Sequence, residues 1–206
     1  MSILWLATAA GAGMVFLTQV ILARQLGPAR YGLFASSLAT VTMIAPLAGF
    51  GLSQFWLRVY GVEGWSARRW LEASLRFVVW SALLTTFFIA MWAFSGIPSP
   101  ETKTTIMMLL PVAVGVLAVD LLASKFRLED RYVTLAVWQM LVPLGRLFVA
   151  AMLLILPTLT DRFVVTGYSV IAVCATVIAF TEILKMLRGK LNLRGHGDRP
   201  INEPML

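Results

Sequence analysis

The stretch Ala23-Arg24-Gln25-Leu26-Gly27-Pro28-Ala29-Arg30-Tyr31-Gly32-Leu33-Phe34 separates two long apolar runs. Gly27-Pro28 stops the helix that precedes it, because proline carries no backbone N–H and pushes the residue before it out of the α region. Gly32 releases a second helix, and Arg24, Arg30 and Tyr31 are side chains suited to the headgroup level. The reading is a tight polar hairpin between two membrane helices.

Composition supports that reading. Of 206 residues, 59% are hydrophobic and 13% charged, and the mean hydropathy of +0.84 lies outside the range of an ordinary soluble domain. The net charge of +7 comes from basic residues set beside apolar segments rather than along one solvated face. The expected partner is therefore the lipid bilayer, with no nucleic acid. The single cysteine, Cys174, lies inside an apolar run, so no disulfide framework or cysteine-based metal site can be built. The first apolar run covers about 22 residues with no Lys or Arg ahead of it. A signal peptide would have a basic start and a shorter core, so an uncleaved first span is expected.

Outward from the hairpin, six spans are predicted: 1–22, 33–57, 77–94, a fourth running to Ser124, 132–156 and 163–184. The second contains Pro46, Gly49 and Gly51, which would bend it. Between Arg58 and Arg76, Ser66 is expected to cap a short interfacial helix carrying Trp65 and Trp70. Gly96-Ile97-Pro98 ends the third span, and Ser99-Pro100-Glu101 supplies a cap, a first-turn proline and an acid at the positive end of the fourth. Lys125–Arg131 reads as a charged loop. Pro143 is expected to break the fifth span, Pro157 to close it, and Asp161 to cap the sixth. The fold class is thus all-α, a polytopic membrane bundle, with residues 1–184 as a six-helix lobe and 185–206 as a polar basic tail or linker.

Lys and Arg counts orient the spans. With the N-terminus inside, twelve fall on the inner side: Arg58, Arg68, Arg69, Arg76, Lys125, Arg127, Arg131, Lys185, Arg188, Lys190, Arg194 and Arg199. Arg24, Arg30, Lys103 and Arg162 make four outside. Both termini are expected on the cytoplasmic side of the plasma (inner) membrane, and the hairpin outside.

The hairpin residues Ala23, Arg24, Leu26, Gly27, Pro28, Tyr31, Gly32 and Phe34, followed by Gly49-Phe50-Gly51-Leu52 and Arg58, resemble the first loop of the oligosaccharide and polysaccharide flippases. These belong to the superfamily of lipid II flippases and multidrug and toxin extrusion transporters. Beyond Arg58 the likeness is one of layout. The resemblance implies two six-helix lobes with a cargo cavity between them, and a polyprenyl-diphosphate-linked glycan moved from the inner to the outer leaflet by alternating access. The chain is then expected to be one lobe, either an incomplete reading frame, its abrupt start at Met1 included, or a half-size protein. Its partner would be a second six-helix lobe, from a missing C-terminal half or a second copy.

Enzyme classes are excluded by inventory. The one histidine, His196, lies in the polar tail, so no serine has an intramembrane imidazole to activate it. No Gly-rich loop ends in Lys-Ser or Lys-Thr, metal-ligand spacing is missing, and Asp120 is the only aspartate within a predicted span. No catalytic residue, cofactor or metal is expected.

Ionisable groups inside the bilayer carry what remains, each costing about 2.5 to 3.5 kcal/mol at a helix centre. Arg146 is the costliest: 14 residues beyond Tyr132, it lies about 21 Å along its helix. Gln139, two turns away on the same face, marks a polar stripe. Arg146 either pairs with polar groups of the bundle or binds an anionic cargo group, whose diphosphate geometry a guanidinium fork matches. Asp120 is either neutralised by Lys125 or Arg127 or coupled to an ion or proton. Arg24 and Arg30 are interfacial anchors or cargo ligands, Ser36 and Thr40 continue the polar stripe, and Glu182 pairs with Lys185 one turn on. The best fit is a flippase of lipid-linked oligosaccharide. The rivals are a non-transporting scaffold subunit of a polysaccharide-assembly complex and a multidrug exporter.

Overall fold

The computed structural model describes residues 2–95, 99–156 and 161–187; among them there is helix and turn and no strand. Gly96-Ile97-Pro98, Pro157 and the tail from residue 188, with His196, lie outside the described residues. The helices are α1 (Ser2–Gly49), α2 (Leu52–Glu63), a 3-10 turn (Gly64–Arg68), α3 (Arg69–Ala93), α4 (Pro100–Leu128), α5 (Tyr132–Ile155) and α6 (Asp161–Leu187). Among the described residues, five stretches are long and apolar enough to cross a membrane, the first running from Leu4 to Glu63.

That first stretch is broken at Gly27, whose φ of 72° and ψ of 169° fall in a region open essentially to glycine alone. The break is a reversal. In a straight helix Gln19 and Tyr31 would stand about 18 Å apart, yet the Tyr31 hydroxyl donates to Gln19 Oε1 at 2.8 Å. Leu4 packs against the cluster that holds Leu122 and Trp138, while Ala48 belongs to the cluster that holds Leu117 and Leu121, and a methyl on Gly49 would lie 3.0 Å from Leu117. The two ends of α1 therefore meet the same half of α4. We call the arms α1a (residues 2–26) and α1b (residues 28–49). Tyr31 is half-buried across the hairpin.

Composition mistook the end of the second span. Gly49 closes α1b, because Phe50 at φ 41° and Gly51 at φ 71° turn the backbone before Leu52 starts a separate helix. Leu52, Phe55 and Trp56 continue the apolar run, so hydropathy alone cannot register the break. Ser66 lies within the 3-10 turn and caps nothing. The short helix is α2, held to α3 by the buried Trp56 indole, which donates to Ser74 Oγ at 2.9 Å. The expected cap of α4 is present: Ser99 Oγ accepts from the Thr102 amide, with Pro100 and Glu101 in the first turn. Pro46, Pro111 and Pro143 lie inside continuous helices, so Pro143 does not break α5. Its ring packs 3.9 Å from where a methyl on Gly11 would sit.

α4 is the axis of the bundle, in contact with α1, α2, α3, α5 and α6. Against α6 its backbone comes close enough that a methyl on Gly115 would lie 2.8 Å from Ala172 Cβ. Small residues at a contact are how membrane helices gain van der Waals packing where lipid supplies no hydrophobic drive between them. Ser169 Oγ adds a hydrogen bond to the Met108 carbonyl.

Gly27→Ala should therefore lower stability by about 1 to 3 kcal/mol through backbone strain alone, since nothing lies within 4 Å of the added methyl. Gly32→Ala, in open space at an ordinary φ, serves as the control. Unfolding of the purified protein by SDS titration in mixed micelles should separate the two variants, and equal stabilities would contradict the assignment of strain to Gly27.

Candidate functional site

Arg146 sits on α5 where that helix meets α6. Its guanidinium lies over the Tyr168 ring, 4.9 Å from the centroid, and Tyr168 in turn packs edge-on with Phe34 of α1b, ring centroids 5.1 Å apart. An arginine on an aromatic face is attracted by the ring quadrupole, more strongly when desolvated. The Nε of Arg146 and the Oε1 of Gln139 are both shielded and make no hydrogen bond. Among the described residues no carboxylate comes within ion-pair distance of Arg146. Seven residues apart on one helix, Gln139 and Arg146 share a face to within about 20°. The polar stripe on α5 is therefore formed.

The other expected site residues are not gathered around it. Arg24 and Arg30 are exposed at the hairpin. The Ser36 and Thr40 hydroxyls donate to carbonyls of their own helix, Leu33 at 3.1 Å and Ser36 at 2.9 Å, which leaves their oxygens free only to accept. Neighbouring Ser37 is the buried one, and its Oγ has no partner. Asp120 is exposed on α4.

Arg30 and Arg162 line a cleft of about 460 Å³ with Glu101 and Asp161, where α1b, α4 and α6 end. Lys103 lies over Phe94 at the same end. The opposite end collects Arg68, which donates to the Leu187 carbonyl, together with Lys125, Arg131 and Lys185.

Lys125, expected in a charged loop and one of two candidate partners of Asp120, lies instead within α4 and pairs with other carboxylates. It is one of two last-turn cations of α4, with Arg127, and is 2% exposed, bound to Glu182 of α6 at 2.7 Å and 3.6 Å from Glu129. Glu182 also takes the expected bond from Lys185, and Arg131 reaches Glu129 at 3.4 Å. Sequence spacing shows the short-range Glu182–Lys185 pair, but Lys125 and Glu182 are 57 residues apart. Only the α4–α6 contact joins them.

The chain matches the family described as polysaccharide biosynthesis protein over residues 1–196. It belongs to that family. Comparison with curated proteins and with solved structures returned no match. Membership accords with the resemblance carried by the hairpin, and with the apolar helices it makes this family member a multi-pass membrane protein of polysaccharide biosynthesis.

Removing a buried cation strands its carboxylates. Lys125→Met should cost about 3 to 5 kcal/mol, read by SDS titration, and Lys125→Met combined with Glu182→Gln should recover part of it by removing one uncompensated charge. The exposed Asp120→Asn should change stability by less than about 0.5 kcal/mol. Lys125→Met as stable as the parent protein would contradict the network.

Proposed function

We propose that this family member is a flippase lobe for lipid-linked oligosaccharide, in which Arg146 holds the diphosphate of a polyprenyl-linked glycan while the lipid tail stays in the bilayer. The observation that carries the reading is Arg146 itself: a cation inside the bundle, backed by Tyr168, with no acidic partner among the described residues. Charges at membrane depth mark pathways when they are not neutralised, and a bidentate guanidinium suits phosphate oxygens. Gln139, one stripe further along, can hydrogen-bond a sugar or phosphate. Arg24, Ser36 and Thr40 have free acceptors or charge on surfaces that a second six-helix lobe would enclose, and Asp120 is the coupling candidate.

Counting α1a and α1b as separate crossings makes six. The lobe then has its hairpin outside and both termini in the cytoplasm, an arrangement supported by the way the predicted inner and outer basic residues collect at opposite ends. In a Cys174→Ala background, a single cysteine at exposed Ala29 should be labelled by an impermeant thiol reagent on intact cells, and one at exposed Arg127 should not. The reverse pattern would invert the orientation.

Arg146→Leu should abolish glycan export while the protein remains inserted, and Arg146→Lys should keep part of it, because charge survives without the fork. Export is read by surface glycan, and folding by elution and thermal stability in detergent. Normal export by Arg146→Leu rules the reading out. Lost stability with export retained per folded molecule favours the scaffold subunit, in which Arg146 and Tyr168 only join helices.

A further inference from the structure

The cleft of about 460 Å³ at the hairpin end of the bundle is built from three helix ends. Arg30 comes from the start of α1b, Glu101 from the first turn of α4, and Asp161 and Arg162 from the first turn of α6. Two cations and two carboxylates therefore share one recess, yet none of the four forms an ion pair among the described residues. The Thr104 and Thr105 hydroxyls donate to the Pro100 and Glu101 carbonyls of their own helix, at 3.0 and 2.9 Å, so their oxygens are left to accept. The floor of the cleft leads toward Arg146. Val165 lines it one turn before Tyr168, and Leu33 lines it next to Phe34 in sequence; Phe34 packs on Tyr168, whose ring carries the Arg146 guanidinium. The cleft thus begins about 5 Å, one helical turn, from that ring.

We propose that this cleft receives uncharged sugar rings of the glycan whose diphosphate Arg146 holds; the assignment rests on the reading of Arg146 given above. The volume lies within the range of small-molecule sites. Charge identifies the occupant. A phosphate or a uronate would be drawn to Arg30 and Arg162 but repelled by Glu101 and Asp161, and a polyamine would meet the opposite conflict. A sugar hydroxyl meets neither, because it donates and accepts at once. It can donate to a carboxylate or a threonine oxygen while accepting from a guanidinium, and hydrogen bonds to charged partners are the strong ones. Position agrees with chemistry. Sugars joined to a diphosphate lie beside it, and the cleft opens one turn from the ring that backs Arg146, on the side where the hairpin lies.

Saturation-transfer NMR of the full chain, held in a detergent without sugar headgroups, tests the cleft with maltotriose, trigalacturonate and spermidine. Maltotriose should receive saturation, and the two charged probes should bind about tenfold more weakly. Ala29→Trp, which fills the cleft from an exposed position on α1b, should remove the maltotriose signal and lower glycan export in a protein that elutes and melts in detergent like the parent. Glu101→Gln with Asp161→Asn should turn the preference toward trigalacturonate, and Arg30→Gln with Arg162→Gln toward spermidine. No maltotriose signal, equal signals from the three probes on the parent chain, a maltotriose signal that survives Ala29→Trp, or a preference unmoved by either charge pair would each overturn the proposal. Arg146→Leu separates the cleft from the reading it rests on. That variant should lose export and keep maltotriose binding; normal export would remove the diphosphate assignment, while maltotriose binding would still support the cleft as a sugar site.

Discussion

The close approach of α4 to α6 is the contact on which the rest of the bundle depends. Gly115 lets the Ala172 backbone come within the space a side chain would need, and that proximity brings Ser169 to the Met108 carbonyl and Lys125 to Glu182. In lipid, apolar side chains gain nothing by preferring each other to acyl tails, so packing density and hydrogen bonds must supply the cohesion. The other helices then arrange themselves on α4: both arms of α1 reach its Leu117 to Leu122 segment, and α2 and α3 cover its Leu121 side through Trp56 and Leu71.

The protein treats Lys125, which is buried, and Arg146, which is half-buried, in opposite ways. Lys125 is surrounded by Glu182 and Glu129, so its burial is compensated and its role is to join α4 to α6. Arg146 has an aromatic face and, among the described residues, no carboxylate. Both are expensive to place away from water, but only one is answered from within the described chain. That asymmetry separates a structural charge from one able to receive an external anion, and it is the physical content of the functional proposal.

The hairpin, the cap at Ser99, the extent of α5 and the polar stripe of Gln139 and Arg146 were legible in sequence, because each is a local effect. Gly27-Pro28 cannot continue a helix, a hydroxyl before Pro100 can accept from the Thr102 amide, and a seven-residue spacing fixes a common face. What escaped is equally explicable. The end of α1b at Gly49 was hidden because the turn at Phe50 and Gly51 lies within an apolar run. Ser36 read as a stripe residue and Ser37 did not, although Ser37 is the one that faces inward. Helical phase relative to neighbours decides that, and a stretch containing a reversal and an apolar surface on most sides has no clear polar face to set it.

By itself the sequence determined that this chain lives in a membrane, reverses at Gly27 and carries a single arginine too deep to be a surface residue, since hydropathy, proline chemistry and residue count are properties of the chain alone. The tertiary structure decided which charges have partners. Lys125 meets Glu182 across 57 residues of sequence and Arg146 lies over Tyr168, because an ion pair is a matter of distance in space, and that distance is set by how closely α4, α5 and α6 pack.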